Sequence, residues 1–350
     1  MPVSPLRVVA AQTAAPELAD LVMRVDPEIE VVTDHDLVRP MRFSGDDPAD
    51  PRFARTADEQ TAYEQLMSTA NVLIGVPGQD PAMLARILRA GAPLRWLHTV
   101  AAGECAQIRQ AGLTSAELTR VVFTTSTGVH AGPLAEFALF GLLAGANGLP
   151  HLQERRPRYI VGSHSGISRL HDRTVVVLGL GTIGTETARL LSAVGMRVLG
   201  VRRTPGPTPY VESVHGVEEL PVVLSQADGV VAALPGTPST DGLLGRELLL
   251  ATKPGAVLVN IGCGTVLDET ALVEVLRSRH VRAAVLDVTA VEPLPADSAL
   301  WSMPQVVISP HTAGAHSAAP VRTAELFADN LRRFVAGRPM RNVMDTVHFY

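Results

Sequence analysis

The run Thr174-Val-Val-Val-Leu-Gly-Leu-Gly-Thr-Ile-Gly184 constrains this chain more than any other stretch. Residues 174–178 are β-branched or aliphatic with no polar alternation, as a parallel strand buried on both faces requires. Gly179, Gly181 and Gly184 follow in G-x-G-x-x-G spacing. The first glycine permits a tight turn, and the second lets backbone approach a pyrophosphate. The third lets helix and strand pack closely, with phosphate lying on the helix N-terminus, and Thr182 and Ile183 in the turn are counted with the glycines as cofactor-binding. Residues 185–194 have helical composition, Gly195 ends them, and residues 196–201 read as the next strand. Glycines at this spacing also occur in ordinary turns. Here strand, helix and second strand arrive in the order the motif demands, and the stretch reads as a dinucleotide site.

The end of that second strand bears on which dinucleotide. A carboxylate about 20 residues beyond the motif would hold the ribose 2′-hydroxyl of NAD. Arg202 and Arg203 stand there instead. Guanidinium groups suit a 2′-phosphate, and the group that would repel it is gone. NADP(H) is therefore expected, with NAD(H) as the alternative; a solvated loop before Thr204-Pro-Gly-Pro207 is the reading without a ligand.

Composition narrows the function classes. A chain of 350 residues has room for two domains, and a net charge of −5 leaves no basic footprint for nucleic acid. Two cysteines, Cys105 and Cys263, make no disulfide framework, which suits a reducing, cytoplasmic setting. The opening MPVSPLRVVAAQ has no basic region followed by an apolar core, and the longest apolar stretches, such as 137–146, are too short to cross a bilayer. Lys253 is the only lysine and sits in the turn Thr252-Lys-Pro-Gly255, which argues against amine-based covalent catalysis.

In chain order, strands are expected over 6–10, 29–33, 71–76, 94–99 and 121–125, with helices over 15–23, 57–69 and 81–90. The polar, proline-rich stretch 38–56 reads as a long surface loop. This alternation predicts a first, smaller doubly wound lobe ending near residue 127. A long apolar helix over 132–148 precedes the glycine motif, and the segment to Arg158 is less clear. Later strands are expected over 227–234, 255–261, 281–288 and 306–309, and a helix over 317–335. The tail 337–350 has too few elements to stand alone, and the simplest packing returns it to the first lobe. The division is then 1–127 with 318–350, and 128–317.

The motifs VVVLGLGTIG, ADGVVAALPGTPST, KPGAVLVNIGCGTVLDETAL, AAVLDVTAVEPLP and VISPHTAG occur in this order. On them the chain resembles the D-isomer-specific 2-hydroxyacid dehydrogenase family over nearly its whole length. The resemblance implies an α/β protein with a Rossmann-like cofactor domain inserted in a flavodoxin-like substrate domain. It also implies a cleft for cofactor and small-molecule substrate, and a homodimer.

By the same resemblance His311 in SPHTAG is the acid–base group and Glu292 in VEPLP its partner. An imidazole near neutral pKa can protonate a carbonyl oxygen as hydride arrives, and a carboxylate raises its pKa and orients the ring. Asp287 matches the residue that contacts the nicotinamide carboxamide, and at a buried strand end it would need such a partner. Leu234, Pro235, Ile261 and Cys263 fall in the motifs that line the cofactor. Backbone N–H groups around Val100, Ala101, Ala102 and Gly103 match the loop that receives a substrate carboxylate.

One family residue is missing. The pattern N-x-x-R-G here reads Asn260-Ile-Gly-Cys-Gly264, so Cys263 stands where a guanidinium would grip the substrate carboxylate. A charge-assisted hydrogen bond is worth about 1.5–3 kcal/mol, and loss of one donor to developing charge costs roughly 10²–10³ in turnover. Ordinary reduction of a 2-keto acid is thereby in doubt. Three readings stay open: a reductase whose substrate or cation differs, a cofactor-binding protein with little turnover, or a thiol recruited for redox sensing. Retention of Glu292 and His311 favours the first. His98, His130 and the Arg155-Arg156 pair are candidates for a compensating base, whereas His164 and His316 read as surface histidines. Gly262 and Gly264 are expected to leave the backbone free to carry a larger side chain at position 263.

Overall fold

The computed structural model describes residues 5–34, 36–38, 54–100, 104–149, 169–347 and 349. The chain forms two compact units, residues Met1–Val129 with Ala315–Tyr350, and residues His130–Gly314.

Among the described residues the first unit holds a five-stranded parallel sheet of order β2-β1-β3-β4-β5. Its strands are β1 (Arg7–Ala10), β2 (Glu30–Val32), β3 (Val72–Ile74), β4 (Trp96–Thr99) and β5 (Val122–Thr125). Strands β3 and β4 are apolar or buried on both faces, the pattern of a sheet covered by helices on either side. One covering helix comes from the far end of the chain. In Ala319–Val335, Phe327 and Leu331 are buried against Val8 and Trp96, and the Phe327 and Trp96 rings stack with centroids 4.8 Å apart. The tail follows it back to β5. Asn330 exchanges two hydrogen bonds with the Arg341 backbone, Met344 N–H donates to Phe123 O, and Asn342 Nδ2 donates to the Thr125 and Thr127 carbonyls.

Two short helices, Glu104–Gln110 and Ser115–Arg120, fill the connection from β4 to β5 that composition left blank. The second carried a readable signal. Thr114 and Glu117 form a reciprocal capping box, each satisfying a backbone N–H of the other's turn.

The second unit holds a seven-stranded sheet of order β12-β11-β10-β9-β6-β7-β8, parallel in every pairing. These strands are β6 (Thr174–Leu178), β7 (Arg197–Val201), β8 (Ser213–His215), β9 (Gly229–Ala232), β10 (Ala256–Asn260), β11 (Val281–Leu286) and β12 (Val306–Ile308). The chain runs outward from β6 to β8, then returns to β9 on the other side of β6. That reversal makes β6 and β9 neighbours at the switch point of a Rossmann-like sheet. The apolar helix Ala131–Asn147 lies on β10 and β11, where Gly141 and Gly145 are obligatory. A Cβ on Gly141 would stand 2.9 Å from Val259, and one on Gly145 would stand 2.5 Å from Val257.

Candidate active site

The glycine turn after β6 has the physical form its spacing predicts. Gly179 has φ +90, and a Cβ there would lie 2.7 Å from the Ala233 carbonyl at the end of β9. The helix begins at Thr182, three residues earlier than composition placed it, with Gly181 as its N-cap. Gly184 lies so close to the Gly179 carbonyl that no side chain fits between helix and strand. At Gly181 the case is opposite: an added Cβ would meet nothing within 4 Å. Backbone is therefore exposed at a helix N-terminus whose first N–H groups have no intrahelical acceptor. A pyrophosphate fits this cradle. Arg202 and Arg203 are exposed just past the end of β7, and the Arg202 N–H is held by the His215 carbonyl.

The other candidate residues cluster at the carboxyl ends of β9, β10, β11 and β12. Leu234 and Pro235 follow β9, and the Leu234 carbonyl accepts the Cys263 N–H at 3.0 Å. Buried Asn260 closes the turn after β10, since its Oδ1 accepts Gly262 N–H and its Nδ2 donates to the Cys263 carbonyl. An asparagine followed two residues later by glycine is an Asx-turn signal that went unread.

Gly262 and Gly264, expected to leave the backbone free to carry a larger side chain at position 263, are themselves tightly packed. A Cβ on Gly262 would lie 2.5 Å from the Leu234 carbonyl, and one on Gly264 would collide with the Thr289 carbonyl. Both glycines are sites of close backbone approach, and they clamp the 260–264 turn between the β9 and β11 loops. The Cys263 thiol points at Gly236, where an added Cβ would be 2.5 Å from Sγ, and its one hydrogen-bond contact is Thr265 Oγ1 at 3.5 Å.

The acid–base pair is formed across β11 and β12. His311 Nδ1 and Glu292 Oε2 are 2.8 Å apart, and the other Glu292 oxygen accepts the Thr289 N–H at 3.1 Å. Glu269, reaching over from the helix after β10, accepts the Ala290 N–H at 2.7 Å and steadies the same loop. Because Glu292 takes the proton on Nδ1, the Nε2 atom is left to gain or lose one. The Glu292 hydrogen bond raises the His311 pKa above its ordinary value, with burial opposing and the Glu292 and Asp287 charges adding to the rise. Burial alone would raise the Glu292 carboxyl, but the His311 hydrogen bond and charge, with the Thr289 N–H, hold it below its usual range.

Asp287 is 2% exposed and already has partners within the chain. Its Oδ1 accepts the Thr312 and Ala313 N–H groups at 3.0 and 2.9 Å, while its carbonyl accepts the His311 N–H at 3.0 Å. His311 itself has φ +56, a left-handed backbone that costs energy in a non-glycine residue. Three hydrogen bonds to one buried residue hold it there. The expectation that Asp287 needs an outside partner is thus met instead by the His311 loop.

The compensating bases separate on inspection. His98 is completely buried, and burial pushes its pKa down to about 3. Its protons are determined by its neighbours. Ser126 Oγ gives its proton to the Thr99 carbonyl, so it accepts from His98 Nε2–H. Nδ1 of the neutral ring is then the acceptor, and Thr124 Oγ1, which receives Trp96 Nε1–H at 2.7 Å, donates to it. A neutral histidine fixed in such a network supplies no cation. His130 Nδ1 bonds the Gly314 carbonyl at 2.9 Å, and His316 is half-buried with Nε2 3.3 Å from the Val129 carbonyl, so it is not a bare surface group. Ala101, Ala102, Gly103, Arg155, Arg156 and His164 lie outside the described residues, as does most of the 38–56 loop. Among the described residues no group of three or more His, Cys, Asp and Glu is placed to hold a metal, and no helix is long and apolar enough to cross a membrane.

Comparison with known proteins gives consistent answers. Residues 143–313 match the family model described as D-isomer specific 2-hydroxyacid dehydrogenase, NAD binding domain. A glyoxylate reductase of Korarchaeum cryptofilum is 33% identical over 237 residues, covering 65% of this chain and 70% of that protein. A D-3-phosphoglycerate dehydrogenase of Mycobacterium bovis is 37% identical over 62% of this chain but 41% of its own length. An uncharacterised protein of Corynebacterium melassecola, 36% identical over 52% of this chain, is matched over 60% of its length. The chain thus spans less than two thirds of the length of these last two relatives. A D-isomer specific 2-hydroxyacid dehydrogenase of Xanthobacter autotrophicus, solved in complex with NADPH and MES, superposes with a TM-score of 0.78 and 28% identity. That superposition covers 99% of this chain and 100% of the other.

Proposed function

Because this chain belongs to the D-isomer-specific 2-hydroxyacid dehydrogenase family, we propose that it transfers hydride between NADP(H) and a small hydroxy or oxo substrate. NAD(H) is the weaker alternative. When bound, the nicotinamide supplies or accepts the hydride. The residues of this chain bind and orient around it. The Gly181 cradle with the N–H groups of Thr182 and Ile183 receives the pyrophosphate, Arg202 and Arg203 receive the 2′-phosphate, and Leu234, Pro235, Ile261 and Cys263 border the cofactor. Cofactor choice is supported by those arginines and by the NADPH in the Xanthobacter relative.

The proton moves at one atom, His311 Nε2. In the direction of reduction the imidazolium gives it to the substrate oxygen, and in oxidation the neutral ring takes it back. Glu292 stabilises the charged ring, and Asp287 holds the loop that presents it. The observation that carries this reading is the 2.8 Å His311–Glu292 pair at the carboxyl edge of a sheet whose first turn is a phosphate cradle. A protein that merely bound the dinucleotide would have no use for it.

Cys263 supplies no charge to a substrate carboxylate. The substrate is therefore one that this site recognises by other contacts, among which the backbone around Val100 to Gly103 is the candidate for an acid group. Assembly as a homodimer in the cytoplasm is part of the same family reading. The test is a steady-state assay with NADPH and NADH against a panel of small oxo compounds. Cofactor binding without turnover of any of them would replace this reading with that of a cofactor-binding protein.

A further inference from the structure

The outermost strand of the second unit carries a hydrogen-bonded chain of side chains of its own. Strand β8 ends the seven-stranded sheet. Its middle residue, Val214, packs against the apolar core that holds Val198 and Leu191. Successive side chains of a strand point to opposite faces, so Ser213 and His215 share the other face. On that side the helix Leu220–Leu224 packs Leu220 and Val223 with Leu199 and Val201 of β7. The turn Val217–Glu219 leads into this helix and sets Glu219 beside the His215 ring. Ser213 Oγ is 2.8 Å from His215 Nε2, and His215 Nδ1 is 2.9 Å from Glu219 Oε2.

The backbone holds all three in place. Glu212 N–H donates to the Val198 carbonyl at 2.8 Å and Arg202 N–H to the His215 carbonyl at 3.1 Å, which pins both ends of the strand to its neighbour. The other Glu219 oxygen accepts the Gly216 N–H at 3.1 Å. The His215 hydrogen bond and that N–H hold the Glu219 carboxyl below its usual range, so it is ionised near neutral pH.

The protons then have one arrangement. A carboxylate only accepts, so Nδ1 of the ring carries its proton. In the neutral ring Nε2 is the acceptor, and Ser213 Oγ–H donates to it. A hydroxyl aimed at a base that a carboxylate orients is the relationship that makes a serine nucleophilic. The His215 side chain is 22% exposed and Ser213 is half-buried, so a small molecule can reach both.

We propose that Ser213, His215 and Glu219 form a second catalytic site, a serine acyl-transfer centre that hydrolyses small activated carboxylic esters. Ser213 Oγ attacks the ester carbonyl carbon while His215 Nε2 takes its proton. The bond from that carbon to the leaving oxygen breaks, and Nε2 passes the proton to the departing group. Water then attacks the acyl carbon with Nε2 again as base, the bond to Oγ breaks, and Oγ recovers its proton. The products are a carboxylic acid and an alcohol, and the step needs no electron donor or acceptor, so it is independent of hydride transfer. Glu219 is a positioning residue that orients the ring and stabilises its charged form. The outer edge of β8 pairs with no strand among the described residues, which leaves backbone N–H groups open to the developing oxyanion. A neutral ester suits the site, whereas the charged oxygens of a phosphoester would be repelled by Glu219.

The probes are 4-nitrophenyl acetate and a fluorophosphonate, each mixed with the full-length chain without cofactor. The fluorophosphonate loses fluoride to Ser213 Oγ and stays attached, and peptide mapping by mass spectrometry should find it there. Ser213→Ala and His215→Gln should each lower ester hydrolysis by about 10²-fold or more, with the double variant no slower than either. Glu219→Gln should lower kcat by about tenfold or more with KM unchanged. Side chains that merely tied the strand to the turn would give none of these effects. Circular dichroism and the unfolding temperature check that each variant is folded. Should Ser213→Ala fail that check, labelling of the wild type and its loss in His215→Gln decide. Hydrolysis that survives Ser213→Ala undiminished, or a fluorophosphonate that never attaches at Ser213, overturns the site.

Discussion

His311 and Glu292 are 19 residues apart in sequence, and their side chains meet at 2.8 Å with Nδ1 facing Oε2. Glu292 therefore commits one ring nitrogen to orientation and leaves the other for proton transfer. His311→Ala should lower turnover by about 10²–10⁴. Cofactor affinity should be nearly unchanged, because the glycine cradle is built from other elements. Steady-state kinetics with fluorescence titration of NADPH checks both. A fully active His311→Ala variant would remove proton transfer at this position from the mechanism.

The pH dependence follows from the direction of the two shifts. His311 is raised, so its imidazolium persists above the ordinary 6.5. Reduction, which needs the proton, should hold through that pH and fall as pH rises through the raised value. Oxidation should rise over the same window. Glu292→Gln removes the charge and should move that limb towards lower pH in both directions. The linked stability has matching signs. The His311 contribution is complete below about pH 6.5 and is lost as pH rises through its folded value. The lowered Glu292 contributes fully above about pH 4.5 and loses that contribution as pH falls through its folded value. Rate profiles of kcat/KM in both directions, for wild type and Glu292→Gln, supply the measurement.

NADPH should bind more tightly than NADH. Arg202→Asp should weaken NADPH by about tenfold or more, since it trades a charge-assisted contact for repulsion, and should improve NADH. Paired titrations with both reduced cofactors decide it, and equal affinities in the wild type would refute the assignment of Arg202 and Arg203.

At position 263 the packing changes the expected outcome of the obvious substitution. The thiol fits closely against Gly236, in the space a longer side chain would have to enter. Cys263→Arg should therefore give no gain on glyoxylate or pyruvate. A gain of roughly 10²–10³ would show instead a 2-keto acid pocket that has lost only its guanidinium. Cys263→Ala, which removes a single 3.5 Å contact to Thr265, should change turnover little.

What the sequence made legible here depended on how local the cause was. The glycine motif could be read because its reasons lie within one strand, one turn and one helix. His311, Glu292 and Asp287 could be named from their motifs, but the part Asp287 plays in holding the His311 loop could not. Asp287 holds Thr312 and Ala313 from 25 and 26 residues away, and such a bond exists only once β11 and β12 are paired. Gly262 and Gly264 carry a packing constraint that their neighbours in sequence do not announce. In sequence a glycine looks like freedom, whereas here each marks a place where another backbone has no room to give. The Gln12–Glu104 contact spans 92 residues and joins the ends of non-adjacent strands, so nothing near either residue announces it.

The stacking of Trp96 on Phe327 has a consequence for how the chain leaves the ribosome. The first unit needs residues beyond 315 to complete its core, whereas the second unit is one uninterrupted stretch. Synthesis runs from the N-terminus, so β1 to β5 emerge long before the helix that covers one face of their sheet. The middle of the chain can reach its final form first, and the beginning must wait for the end. Until then Val8, Trp96 and their neighbours lack the side chains of Phe327 and Leu331 that cover them in the folded unit.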